Sequence, residues 1–317
     1  MSARDYYAPK RSPWPRWIAM AVLAAVMIWA ASQLINYGVQ MQASRSLRDE
    51  LAGELATEEP AVVLQADLHQ PPADLPTETA APAAEIQVTE PEPAAQLRST
   101  VSAVQKPSAS REPEILMTYH ALWEKNNDLV GWLNVRAIAQ IDLPVVQRNQ
   151  SYYLRRDFYG RSNMNGTAFL DAKCSIWPRS DNLIIYAHNM KSGEMFGLLH
   201  KLRQEAYYRR NPLTSFNTIY ERHMYVPVAV VLCSIVDGDD FFNFYVPKFE
   251  DQAEFDAYIS RARELSSVQP PYDVRYGDQL LTLVTCYDEA HEQRLLVILR
   301  QVRPDENAEE LAALWQE

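Results

Sequence analysis

Cysteine is scarce in this sequence: Cys174, Cys233 and Cys286 are the three in 317 residues. Their number is odd and no CxxC pair occurs, which argues against a disulfide framework. If the domain that carries them is extracellular, so few cysteines suit a bacterial surface without a dedicated pairing system. We interpret Cys233, at the end of an apolar run, as a small buried hydrophobe, and Cys174, in a polar stretch, as a loop cysteine without a role.

A basic stripe is also missing. The net charge of −11 divides into +4 for residues 1–49, −8 for 50–112 and −7 for 113–317. This distribution argues against a nucleic-acid partner, which would need clustered positive charge. His291 has no second ligand at a metal-binding spacing such as HxxxH, and we predict neither a metal nor another cofactor. No internal repeat is visible.

One long hydrophobic run is present, from Trp17 to Tyr37. It carries no charge and has roughly the ~20 residues that a membrane-spanning helix needs. It is longer than the ~7–15 apolar residues of a signal peptide, and no convincing cleavage site follows it. We therefore predict a single retained membrane span at 17–37, with a cleaved signal peptide or a buried helix as the alternatives. The basic residues within 1–16 predict a cytoplasmic N-terminus and an extracellular remainder.

The segment after the run has the composition of a linker. Residues 50–112 consist mostly of Ala, Pro, Glu, Thr and Ser, which bury too little apolar area to offset the entropy of ordering. We predict an extended extracellular stalk over 38–112, with a helical continuation of the span through about Leu55 as the alternative. A folded domain is predicted over 113–317, where helical spacing and strand-like runs begin.

The folded domain is predicted to be mainly β, with enough strands to close a barrel. Helical periodicity occurs between Met195 and Leu202, and again at about 250–267, just before the strand that ends in Cys286. Residues 305–317 predict a short terminal helix. The candidate strands are 132–135, 142–146, 166–171, 182–188, 214–221, 223–235, 279–286 and 294–302.

Cys286 ends an apolar strand-like run instead of lying within one, which places its thiol at the rim of a sheet. His188 closes another such run and Arg294 opens a third. A thiol reacts as its thiolate, and a leaving amine needs a proton donor. His188 can supply that proton near neutral pH, and Arg294 can hold a substrate carbonyl or an oxyanion. We therefore expect the three strand ends to converge on one catalytic site.

Several motifs accompany these three residues in the sequence. They are TLVTC at 282–286, RLLV at 294–297, YAHNMKSGEMF at 186–196, NDLVGW at 127–132, LPVVQ at 143–147, YYL at 152–154 and GTAFLD at 166–171. Together they resemble the sortases, and most closely class B, over about residues 113–302. Ala187 replaces the commoner glycine of the histidine motif but leaves the histidine in register.

The resemblance implies a sortase barrel of eight strands, with an N-terminal helical element and an inserted helix before the cysteine strand. It also implies a cysteine transpeptidase. Cys286 would attack the carbonyl of a threonine in the C-terminal sorting signal of a secreted surface protein and form a thioester. An amine from a peptidoglycan precursor or a pilin lysine would then replace the released fragment, while water would give slow hydrolysis.

Further residues near the motifs have weaker assignments. Thr285, Tyr287 and Asn189 are predicted to contact the substrate, although Thr285 has the alternative of packing as an ordinary strand residue. Asp288 and His291 are interpreted as exposed loop residues, with orientation of His188 or the substrate as the alternative for Asp288.

Two rival functions remain open. The first is a cysteine peptidase or hydrolase with water as the acceptor, and the second is a non-enzymatic surface scaffold. Papain-like signatures around the cysteine are missing. The HGC-type arrangement of cell-wall L,D-transpeptidases is absent too, because His188 and Cys286 end separate strands.

Overall fold

The structure, a computed structural model, describes residues 14–58, 113–236, 238–288 and 293–315. Within these ranges eight strands close a barrel in the order β1-β2-β3-β4-β7-β8-β6-β5. The strands are β1 Leu129–Val135, β2 Asp142–Val146, β3 Ala168–Leu170, β4 Asn182–Tyr186, β5 Thr214–Thr218, β6 Met224–Ser234, β7 Leu280–Asp288 and β8 Gln293–Gln301. The helices are α1 Trp14–Glu58, α2 Met117–Lys125, α3 Glu205–Tyr208, α4 Gln252–Glu264 and α5 Ala308–Ala313.

Every predicted strand has a counterpart in the barrel, so the predicted mainly β fold is confirmed. The strand predicted at 166–171 is shorter in the structure, because Gly166 adopts a left-handed φ of 62° and belongs to the preceding turn. A Cβ at this glycine would lie 2.6 Å from the carbonyl oxygen of Tyr153. Only glycine fits so close a backbone approach.

The pairing of three strands positions the candidate site. β4 runs parallel to β7, with Tyr186 opposite Val284. β7 runs antiparallel to β8, with Cys286 opposite Arg294, and β8 pairs on its other side with β6. Residues 295–299 of β8 are fully buried. The strands that carry the site are therefore held on both edges and packed into the core.

Helix α4 confirms the helix predicted at about 250–267. Asp251 caps it, because its carboxylate accepts the backbone N–H of Glu254 at 2.9 Å. The buried side chains recur at three- and four-residue spacing, which turns one apolar face toward the barrel. These side chains are Phe255, Tyr258, Ile259 and Ala262. The predicted terminal helix is also present, as α5.

The helix predicted from Met195 to Leu202 is wrong in its first half. Met195 has a φ of 53°, and a Cβ at Gly197 would lie 2.1 Å from the carbonyl oxygen of Met190. This part of the chain consists of tight turns, and a 3₁₀ helix follows at Leu199–Arg203. The apolar spacing correctly indicates burial, but turns can bury side chains at the same spacing.

Helix α1 is continuous and has two different surroundings. The most apolar stretch of α1 has a mean hydropathy of 2.2 and no buried residue, so it does not belong to the core. By length and composition the helix can cross a membrane. Farther along, Leu51 is 1% exposed and belongs to a cluster with residues of α2 and β1. The first part of the predicted stalk is thus helical and packed on the barrel. Residues 59–112 lie outside the described residues, so the prediction for them stays a prediction.

Candidate active site

The structure brings the backbone positions of Cys286, His188 and Arg294 to one edge of the barrel. The last pair of β4 and β7 is Tyr186 with Val284, and the N–H of Ala187 still donates to the carbonyl of Val284 at 3.2 Å. His188 lies two residues beyond this pair on one side and Cys286 two residues beyond it on the other. Arg294 is the direct cross-strand partner of Cys286. Residues directly opposite each other in an antiparallel pair have neighbouring side-chain positions on the same face. The backbone register is compatible with the predicted convergence of the three strand ends, and their joint role in catalysis stays a prediction.

The ring of His188 is oriented by a backbone carbonyl. Its Nε2 lies 2.7 Å from the carbonyl oxygen of Leu154. Because a carbonyl only accepts, Nε2 carries the proton in this contact. The loop after the histidine is also closed, since the N–H of Phe196 donates to the carbonyl of His188 at 3.0 Å.

Arg294 is half-buried beside the same cavity. Its Nη1 donates to the carbonyl of Gln293 at 3.1 Å. Within the described part of the chain, no carboxylate forms a salt bridge with it. A guanidinium is permanently charged and has five N–H donors, so it can bind a carbonyl or an oxyanion.

A cavity of about 270 Å³ opens at this edge of the barrel. Thr285 belongs to its wall and is 2% exposed, and its hydroxyl has no hydrogen-bond partner among the described residues. A buried hydroxyl without a partner costs about 1–3 kcal/mol, which a bound substrate could offset. The lining residues are Gln150, Leu154, Phe169, Tyr186, Ala187, His188, Val284, Thr285 and Arg294.

One wall of the cavity is fixed by a buried carboxylate that the sequence did not single out. Asp171 is fully buried, and its Oδ2 accepts the phenol O–H of Tyr186 at 3.0 Å and the amide of Gln150 at 2.6 Å. Burial, together with the neighbouring Asp171, raises the pKa of Tyr186 well above its usual range, so the phenol stays a donor. Asp171 ends the GTAFLD motif, but no local pattern indicates which distant residues it binds.

The remaining predicted substrate contacts have different outcomes. Asn189 is half-buried and forms an isolated β-bridge with Met195, and it is not part of the cavity lining described above. The backbone of Tyr287 lies in β7, where the register shifts between Cys286 and Asp288. Asp288 is thus the last residue of a strand and not a loop residue as interpreted. The side chains of residues 286–288 and all of His291 lie outside the described residues, so their predicted roles stay predictions.

The other two cysteines are buried. Cys233 is fully buried in β6, which confirms its interpretation as a small hydrophobe, and Cys174 is buried although it lies in a loop. Burial raises the pKa of each thiol to about 12. Both therefore remain neutral thiols near pH 7 and are poor nucleophiles. Within the described residues, no group of three or more His, Cys, Asp or Glu is placed to hold a metal ion.

Known proteins with a similar sequence are sortases. No family model matches the chain. Sortase B of Listeria monocytogenes is 28% identical over 182 residues, which cover 56% of this chain and 70% of that protein. Sortase B of Staphylococcus aureus is 22% identical over 188 residues, covering 58% of this chain and 75% of that protein.

Solved structures agree with this likeness. The sortase B of Bacillus anthracis in complex with AAEK1 superimposes with a TM-score of 0.54 at 26% identity, covering 62% of this chain and 89% of that one. The Staphylococcus aureus sortase B–substrate complex gives 0.55 at 21% identity, covering 60% and 87%, which supports the fold alone.

The barrel, its strand order and these similarities define the molecule as a sortase-type cysteine transpeptidase. The matched relatives and solved structures are sortase B proteins, and the chain is similar to this class in both sequence and fold.

Proposed function

We propose that this enzyme cleaves the C-terminal sorting signal of secreted surface proteins and transfers the new acyl end to an amine. The strand register supports the choice of Cys286, His188 and Arg294 as the residues that carry out this reaction. In that register Cys286 lies opposite Arg294 and near the level of His188. The identity of the class B relatives supports the reaction type.

The proposed first step forms a thioester. The thiolate of Cys286 attacks the carbonyl carbon of a threonine, and the carbonyl electrons move to oxygen. As the tetrahedral intermediate collapses, the C–N bond breaks and the leaving amine takes a proton from His188. The imidazolium that acts here keeps Nε2–H on the carbonyl of Leu154 and offers Nδ1–H to the leaving group. An incoming amine then attacks the thioester and gives up a proton to His188, which the first step left neutral, as the C–S bond breaks and the thiolate leaves.

Arg294 is proposed to bind the oxyanion or nearby substrate carbonyls, because its guanidinium borders the cavity. Thr285 is proposed to bind the substrate, because its hydroxyl lies in the cavity wall and has no hydrogen-bond partner among the residues that the structure describes. Tyr287 and Asn189 are retained as substrate contacts on the sequence resemblance.

We further propose a single-pass cell-membrane enzyme, with residues 1–16 in the cytoplasm, 17–37 in the membrane, a stalk or linker within 38–112 and the catalytic domain 113–317 outside. The length and apolarity of α1 support the span. The acceptor amine is proposed to belong to a peptidoglycan precursor or a pilin lysine. One solved sortase B structure is a complex with triglycine, which makes this peptide the first amine to test.

The test uses the full chain in detergent with a library of sorting-signal peptides, each incubated with and without triglycine or a lysine-bearing peptide. We expect an amine-linked product and a thioester adduct at Cys286. Cys286→Ala should abolish both, whereas Cys174→Ala, a matched change at a buried thiol, should preserve them. Cleavage whose products stay the same with every amine tried would contradict transfer and favour a hydrolase.

A further inference from the structure

The part of α1 beyond the apolar run is packed against the barrel through polar contacts. Ser44 is buried, and its hydroxyl accepts the side-chain amides of Asn163 at 2.9 Å and Asn165 at 2.7 Å. Four residues earlier on the helix, the side-chain oxygen of Gln40 accepts the backbone N–H of Met164 at 3.2 Å. One face of α1 therefore binds a single turn of the barrel, residues 163–165.

A second contact connects α1 to the loop that follows the catalytic histidine. The carboxylate of Glu194 accepts Arg45 Nε at 2.6 Å and Arg48 Nη1 at 3.3 Å. Its side chain is 4% exposed, so this carboxylate depends on the two guanidinium groups of the helix. Glu194 lies two residues before Phe196, whose N–H binds the carbonyl of His188. The helix is thus anchored next to the proposed active site.

The apolar part of the same contact includes the helix that follows residues 59–112. Leu51 of α1 is buried in one cluster with Tyr119 and Leu122 of α2. Lys125 at the end of α2 pairs with Glu54 of α1. The two helices that flank residues 59–112 in the sequence are therefore packed against each other and against the barrel.

We propose that residues Ser44–Leu55 of α1 form a non-covalent mount that attaches the catalytic barrel to the membrane span. In this proposal residues 59–112 set neither how firmly the barrel is held to the membrane span nor how far the barrel lies from the membrane surface. The inference rests on the proposed membrane span at 17–37. Gln40 makes its contact three residues after Tyr37, which corresponds to about 4.5 Å of helix. The turn at 163–165 consequently lies at the membrane surface, whereas an extended stalk of the length of 59–112 would allow distances on the order of 150 Å.

The mount is tested by cutting the chain within 59–112. A specific protease site replaces residues 80–86 in the full chain, which carries an affinity tag at its N-terminus, and membranes are treated with the protease. We expect at least nine-tenths of the catalytic fragment to sediment with the membranes, and to co-purify with the tag after mild detergent extraction. Release of most of the fragment into the supernatant would overturn the proposal.

Matched variants locate the contact. Leu51→Asp places a charge in the buried cluster, and we expect at least fivefold more release after cutting. Ser46→Asp adds the same charge at an exposed position of the same helix and should leave retention unchanged. The double variant R45E/R48E changes only the helix side of the ion pair, and it gives a second measurement if Leu51→Asp impairs folding. Full retention in both destabilised variants would contradict the assignment of the mount to Ser44–Leu55.

The same samples separate this inference from the proposed membrane span. An uncut chain that stays in the soluble fraction would contradict the span. Co-purification of the two fragments through the N-terminal tag would still report on the docking, because that measurement needs no membrane.

Discussion

Arg294 has the proposed role of binding an oxyanion or a substrate carbonyl, for which the shape of a charged group matters as much as its charge. It borders the cavity, and it is the cross-strand partner of the proposed nucleophile. Its planar guanidinium can present two parallel N–H donors to an oxyanion or a carbonyl, which the single ammonium of lysine cannot do. A rigid strand on a buried core fixes the direction of those donors.

Arg294→Lys is therefore expected to lower kcat/KM for peptide cleavage by about 10²–10³-fold, the range seen when one oxyanion donor is removed. The thermal midpoint should change little, because the side chain is only half-buried. Steady-state kinetics and a thermal melt check both parts. Arg209→Lys, at an exposed position, is the control and should behave like the unchanged chain. Full turnover by Arg294→Lys would remove this residue from the mechanism.

At the scale of elements, a cluster of buried charges holds the end of β8. Arg300 is fully buried, and its two terminal nitrogens donate to the carboxylate of Glu306 at 2.6 and 2.8 Å. Arg303 binds Asp278, just before β7, at 2.7 and 2.8 Å. Burial opposes the ionisation of Glu306, but the hydrogen bonds from Arg300 outweigh it and lower the pKa of the carboxyl group. The cluster ties together the two strands that carry Cys286 and Arg294.

Glu306→Gln should lower the free energy of unfolding by about 3–5 kcal/mol at pH 7, because it leaves a buried guanidinium without its main counter-charge. Since the folded pKa of Glu306 is lowered, its contribution is complete above the ordinary value of 4.5 and is lost as the pH falls through the lower folded value. The difference between the two proteins should therefore shrink in acid.

Urea titrations at several pH values measure this difference. Glu309→Gln is the control, because Glu309 pairs with Arg136 at the exposed surface and should contribute less than about 1 kcal/mol. A difference between the proteins that is independent of pH would show that the Glu306 charge is not the cause.

At the scale of the whole molecule, the folded unit consists of the barrel together with the C-terminal part of α1. The C-terminal part of α1 covers Glu194 and contributes Leu51 to an apolar cluster on the barrel. In the sequence, residues 59–112 separate this part of the helix from the segment that contains α2. Removing this part of the helix would expose apolar area and leave Glu194 without the two arginines that bind it. Both changes destabilise a domain of this size.

A fragment that begins at residue 113 should therefore melt about 5–10 °C below one that begins at residue 38, on the basis of about 2–4 °C for each kcal/mol lost. A third protein, which begins at 38 and has a short Gly/Ser linker in place of 60–111, should match the longer fragment. Equal melting temperatures for all three would contradict a stabilising role for α1. Differential scanning calorimetry provides the comparison.

The pattern of apolar residues along the chain predicted the strands and helices better than the turns that connect them. Runs of Val, Ile, Leu and Thr predicted the strands, and the capped periodic segment after Asp251 predicted α4. The segment at 195–202 had similar apolar spacing but forms turns, because Met195 adopts a left-handed φ of 53° that a helix does not permit, and Gly197 lies too close to the carbonyl oxygen of Met190 to carry a side chain. Periodicity reports which side chains are buried and not which backbone buries them.

The sequence by itself determined the barrel, the apolar run and the identity of three strand-end residues, because these depend on composition and on motifs read within short stretches. Tertiary structure alone decided how they combine: the carbonyl of Leu154 orients His188, and Ser44 holds the turn at Asn163. Such contacts join residues far apart in the chain, and a backbone carbonyl or a helix face leaves no local signature of its partner. These long-range contacts form when the elements pack together, and the arrangement of that packing cannot be seen in a single sequence.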